Sequence, residues 1–137
     1  MNDSRTVSIS IERTFSEVYD YLVQPERFPE WSLFIREMRA HGADWIATTP
    51  HGEVSIHFVS KNPYGVLDHT VTVSPKIKVF VPFRVVPNDI EGSEVLFTVF
   101  RQPGMTDDAF EHDLAMTRAD LASLKAHLEK IREFPSV

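Results

Sequence analysis

The clearest hydrophobic pattern lies at the end of the chain. Phe110, Leu114, Thr117, Leu121, Leu124, Leu128 and Ile131 recur at alternating steps of four and three. That spacing predicts a long helix from about Thr106 to Ile131 with a single buried stripe, apolar except at Thr117. Thr106 is the expected N-cap, and Asp107, Asp108 and Glu111 supply the acidic first turn that the helix dipole favours. A helix with one apolar face needs an apolar surface to lie on. At the other end, Val7, Ile9 and Ile11 alternate with Thr6, Ser8, Ser10 and Glu12, the pattern of a half-buried strand. Thr14-Phe15-Ser16-Glu17 reads as a capping box that opens a short helix through about Val23. Pro25 and Pro29 limit any further helix to about a turn, ending near Trp31.

Between these ends the pattern is strand and turn. Strands are expected at 35–40, 43–49, 52–60, 66–74, 77–87 and 93–102, separated by turn clusters such as His41-Gly42, Asn62-Pro63-Tyr64-Gly65 and Ser74-Pro75-Lys76. Short turns between consecutive strands imply an antiparallel meander. Pro82 inside a strand predicts a bulge or a bend. The order is one strand, one or two short helices, six strands and one long helix. The expected fold class is α+β, a curved antiparallel sheet wrapped around the C-terminal helix, as one domain over residues 1–137.

Composition narrows the function. A hydrophobic content of 42% and a charged content of 25% are ordinary for a globular domain. No stretch is long and apolar enough to span a bilayer, and residues 1–20 hold no apolar core of a signal peptide, so no membrane is expected as partner. The absence of cysteine excludes a disulfide framework and a thiol nucleophile, and fits a cytoplasmic location. The formal charge of −6 argues against nucleic acid as a partner. The histidines are scattered without matching carboxylate spacing, and phosphate-cradle and dinucleotide motifs are absent, so neither metal nor cofactor is expected.

The residues at the joints carry a resemblance. Val7 to Trp31 combines an alternating strand, Val18-Tyr19-Asp20-Tyr21-Leu22, and Pro25-Glu26-Arg27-Phe28-Pro29-Glu30-Trp31. With Tyr64-Gly65-Val66-Leu67-Asp68-His69 and Phe97-Thr98-Val99-Phe100-Arg101-Gln102-Pro103-Gly104-Met105, nearly the whole chain resembles the START-like (SRPBCC) superfamily. This is the polyketide cyclase/dehydrase-like or Bet v 1-like helix-grip fold. The later two blocks look like a bacterial subgroup described as cyclase-like or uncharacterised. The resemblance implies the helix-grip architecture. It leaves function open, because the fold hosts ligand carriers, cyclases, hydrolases and chaperone regulators.

Strand parity offers a map of candidate site residues. Pairing Val73 with Lys78 sets His69 opposite Pro82 and Leu67 opposite Arg84. Pairing Pro87 with Glu94 sets Arg84 opposite Phe97. One face then carries Ile56, Phe58, Leu67, His69, Val71, Phe80, Arg84, Phe97, Val99 and Arg101, an apolar wall with three polar groups. A one-residue slip exchanges the faces. His69 is the candidate acid or base, with Arg84 to hold a developing oxyanion. Trp31, Phe58, Leu67, Phe80, Phe97, Val99, Arg101 and Phe110 are the candidate ligand contacts. Each has a plainer role: a locally bonded core histidine, an arginine anchoring the joint before the long helix, aromatic residues as core.

Three functions fit. The first is a binder of a small hydrophobic molecule in a cavity between helix and sheet. The second is a polyketide cyclase/aromatase-like enzyme using His69 and Arg84. The third is an interaction module with a filled core. Both faces of strand 77–87 are apolar, so a homodimer is also expected.

Overall fold

Local signals set the first third of the chain. Strand β1 (Ser4–Ile11) turns Val7 and Ile11 into the core. Helix α1 (Phe15–Leu22) starts at the expected capping box: the Glu17 amide donates to Thr14 Oγ1 at 3.2 Å, and Glu17 Oε1 accepts from the Thr14 amide at 3.1 Å. Pro25 then opens a 3₁₀ turn over Pro25–Glu30. Strands β2 (Glu37–His41), β3 (Asp44–Thr49), β4 (Gly52–Phe58) and β5 (His69–Ser74) follow. After them come β6 (Ile77–Val81), β7 (Phe83–Asn88), β8 (Gly92–Phe100) and the long helix α2 (Asp107–Lys130). The computed structural model describes residues 1–131, and no helix among them is long and apolar enough to cross a membrane.

Seven strands follow α1 where six were expected. The segment 77–87 breaks at Pro82, which has no amide hydrogen for a ladder. On one side of the break β6 pairs with β5, and on the other β7 pairs with β8. The strands form two sheets, ordered β1-β8-β7 and β2-β3-β4-β5-β6. A seam beside β7 joins them. The Leu67 amide donates to the Phe83 carbonyl at 2.7 Å and the Val85 amide to the Gly65 carbonyl at 2.9 Å. Gly65 takes φ +73°, and a Cβ there would lie 2.2 Å from the Val85 carbonyl oxygen, so the seam needs glycine. Beyond Pro82 the sheets part. The Thr98 amide still reaches the Pro82 carbonyl at 3.0 Å, and past it β6 leaves β8 to follow β5.

Helix α2 grips the inside of this curve. Phe110, Leu114, Leu121, Leu124 and Leu128 are all 4% exposed or less, as the stripe predicts. Thr106 Oγ1 caps the helix by accepting from the Ala109 amide at 3.1 Å. At the far end Arg13 Nε donates to the Leu128 carbonyl at 2.9 Å, satisfying a carbonyl the last turn leaves free.

The register departs from expectation by one residue, twice. Ser74 pairs with Ile77 as the Val73–Lys78 pairing requires, but a bulge between Thr72 and Ser74 shifts the rest, so His69 faces Val81. At the next hairpin Asn88 pairs with Gly92 around a three-residue loop in which Asp89 has φ +58°, so Phe83 faces Phe97. The two offsets cancel at β8. Leu67, His69, Phe97 and Val99 keep the face expected for them, while β6 and β7 exchange theirs. Val79, Val81, Phe83 and Val85 take the inner face that parity assigned to Phe80 and Arg84. Phe83 and Val85 are fully buried, while Phe80 is 49% exposed.

Candidate functional site

The divergence of β6 from β8 leaves a wedge, and α2 covers it. A cavity of about 390 Å³ occupies the wedge. Its sheet wall is Val71 from β5, Val79, Phe80 and Val81 from β6, and Phe97 to Phe100 from β8. Phe34 and Met105 extend this wall, and α2 contributes Asp113, Met116, Thr117 and Asp120. The volume falls in the lower part of the range for small-molecule sites, and the lining is mainly apolar with few polar groups. The helix stands off the sheet here because its stripe fails at Thr117. The Thr117 hydroxyl donates to its own helix, to the Asp113 carbonyl at 2.9 Å, instead of packing as a leucine would.

The two aspartates differ in their support. Asp120 Oδ1 accepts from the Leu33 amide at 2.9 Å and Oδ2 from the Ser32 hydroxyl at 3.3 Å, tying the loop after Trp31 to α2. Burial still raises the Asp120 carboxyl above the ordinary value, against those two bonds. Asp113 is half-buried and, among the described residues, its carboxylate holds neither a hydrogen bond nor an ion pair. Burial raises its pKa too, opposed by the neighbouring His112. Neither aspartate was singled out by the sequence. Both sit on the face that Thr117 interrupts, four residues before and three after it, so the gap in the stripe marks the place.

The expected site residues fall into three groups. Phe80, Phe97 and Val99 line the cavity. His69 lies one layer behind it, 7% exposed, with ring centroids 5.1 Å from Phe58, 6.0 Å from Phe83 and 6.3 Å from Phe97. Its Nδ1 lies 3.0 Å from the Leu67 carbonyl. A carbonyl only accepts, so the proton sits on Nδ1 and Nε2 carries the lone pair. Burial lowers the His69 pKa, against that bond and the nearby Asp68, and keeps the ring neutral. Phe58 and Leu67 line a different recess of about 680 Å³, between the end of α1, the start of β3 and the end of β4, with His57 and Lys61 on it.

The third group lies away from the cavity. The one-residue shift puts Arg84 outside, where Nη2 meets Asp68 Oδ2 at 3.0 Å. His69 and Arg84 therefore leave opposite faces of the sheet. Arg101 anchors the joint before α2, bonding Asp107 at 2.5 Å and the Met105 carbonyl at 2.9 Å. Phe110 packs in the core with the Arg5 guanidinium 5.8 Å from its ring centre. Trp31 packs against Phe28 and Phe83, and its buried Nε1 has no acceptor among the described residues.

No family model matches the sequence, and neither does any curated protein. The fold has many solved counterparts. An uncharacterized protein from Bacillus thuringiensis superposes with a TM-score of 0.79 at 14% identity, over 93% of this chain and 100% of that one. A START superfamily protein from Mycobacterium smegmatis matches with a TM-score of 0.71 at 9% identity, over 93% and 97% of the two chains. The Zhui aromatase/cyclase from a Streptomyces species matches with a TM-score of 0.71 at 12% identity, over 95% of each. At such identities the likeness is one of fold: the chain has the START-like helix-grip architecture.

Proposed function

We propose that the protein binds a small hydrophobic molecule in the cavity between α2 and the diverging edges of β6 and β8. One observation carries this reading. A recess of about 390 Å³ with a mainly apolar wall, partly open to solvent, lies between α2 and the sheet. The helix stripe is built to leave it open, since Thr117 replaces the large side chain that would fill it. A filled-core interaction module offers no reason for such a recess. Solved structures of the same fold include a cyclase and a START superfamily protein, which is compatible with a cavity used for small molecules.

Cyclase-like catalysis through His69 and Arg84 draws less support. The neutral imidazole touches Phe97 of the cavity wall, but the guanidinium is engaged with Asp68 on the far face. We read His69 as setting the polarity of the wall behind Phe97. We also propose that the exposed Val73 and Ile77 of the β5–β6 hairpin bring two copies together. A monomer by light scattering at high micromolar concentration overturns that part.

The cavity is tested with Nile red, a neutral hydrophobic dye. Saturable binding at one site per chain is expected, and Thr117→Trp, which fills the void, should abolish it while the circular dichroism spectrum is kept. Absence of saturable binding, or equal binding by the folded variant, overturns the reading.

A further inference from the structure

The cavity contains acceptors and no cation. Its lining includes two carboxylates, Asp113 and Asp120, and not one lysine, arginine or histidine side chain. Asp120 is held by two neutral donors, and Asp113 by none among the described residues. The other polar side chains are already engaged: Thr117 with its own helix, Thr98 with Thr6 at 2.8 Å, and Gln102 Nε2 with the Phe100 carbonyl at 3.0 Å. A negative group entering this space would meet a carboxylate, with no cationic side chain in the lining to offset it. A positive group would find in Asp113 a partner that the fold leaves unused.

Resting on the ligand-binding reading above, we propose that the cavity selects hydrophobic amines. The apolar body of the ligand lies against Val71, Val79, Val81, Phe97 and Val99, and its ammonium donates to the Asp113 carboxylate. Asp120 adds a second negative charge two turns along the same helix face, and its position is fixed by Ser32 and Leu33. The arrangement equally sets what is refused: carboxylates and phosphates on the same apolar body. The chain as a whole, at a formal charge of −6, favours the approach of cations in the same sense.

Three probes that share one body separate the possibilities: 1-naphthylmethylamine, 1-naphthalenemethanol and 1-naphthoic acid, titrated calorimetrically into the full chain. The amine is expected to bind at least about ten-fold more tightly than the alcohol, the effect of one charge-assisted hydrogen bond, and the acid more weakly than both. In Asp113→Asn the amine-to-alcohol affinity ratio should fall to about one, and Asp113→Glu should restore part of it. Equal affinities for amine and alcohol, or preference for the acid, overturn amine selection and leave the cavity reading standing. Failure of all three probes to bind overturns both.

Discussion

Asp68 and Arg84 join the two sheets from the outside. Arg84 Nη2 lies 3.0 Å from Asp68 Oδ2 and Nε 3.3 Å from Oδ1, and the same Oδ1 accepts the Phe83 amide at 2.9 Å. The carboxylate is buried and the guanidinium largely exposed. Burial opposes ionisation of Asp68, but Arg84 and the Phe83 amide outweigh it and hold its pKa below the ordinary value.

The pair should therefore respond unequally to truncation. Asp68→Ala leaves a buried amide without an acceptor and should cost ~1–3 kcal/mol. Arg84→Ala removes only the exposed partner and should cost less than about 1 kcal/mol. Urea denaturation of both variants checks this. The reverse order would mean that the guanidinium, not the amide bond, holds the seam.

The pH dependence of this contact has a definite sign. A carboxyl group whose folded pKa is depressed contributes stability above its unfolded value of about 3.9, and loses it as pH falls through the folded value. The wild-type protein should lose more stability on acidification than Asp68→Asn. Chemical denaturation across the acid range measures the difference.

For Asp113 the sign is opposite. Burial raises its folded pKa, so the ionised group weakens the fold at neutral pH. That penalty fades as pH falls through the folded value and is gone below about 3.9. Asp113→Asn should melt higher than wild type at neutral pH and converge with it in acid. A lower melting temperature at neutral pH would show that the carboxylate supports the fold, and would remove the argument that it is kept for a ligand.

Burial lowers the His69 pKa from the usual histidine value near 6.5, so the ring should be neutral at neutral pH. Because burial depresses its folded pKa, its protonation penalty is absent above that value and grows as pH falls below it. Nitrogen-15 spectra should show the proton on Nδ1 throughout. A ring protonated on Nε2 at neutral pH would contradict the bond to Leu67.

The helix stripe yields a contrast between neighbours. Leu121, 1% exposed, should cost ~2–5 kcal/mol when cut to alanine. Thr117→Ala, at the cavity, removes no packed core and should cost less than about 1 kcal/mol. Thermal or urea denaturation compares the two.

Much of this architecture was legible in the residues. Period and caps placed β1, α1 and α2 within a few positions, because an N-cap and an amphipathic stripe are local. The face of His69 was also readable, though through two errors that cancelled. The faces of Phe80 and Arg84 were not readable, because a bulge at Val73 and a three-residue loop at Asp89 each move the register by one, and neither leaves a strong mark on composition. Nothing in the spacing or composition of the helix marks Asp113 or Asp120. Only the parting of β6 from β8 brings them to a void, and that parting depends on pairings distant in sequence.

Pro82 gives the molecule two unlike edges. On one, Gly65 and Val85 are joined by a backbone bond and Asp68 holds the Phe83 amide, and these positions tolerate little change. On the other, strands that have let go of each other turn side chains toward the cavity, while their backbones stay in ladders with β5 and β1. Substitutions among Val79, Val99, Met116 and Thr117 can therefore reshape what the protein accepts without asking the chain to find a new way to fold. A single missing hydrogen-bond donor thus divides the molecule into a conserving half and a versatile one.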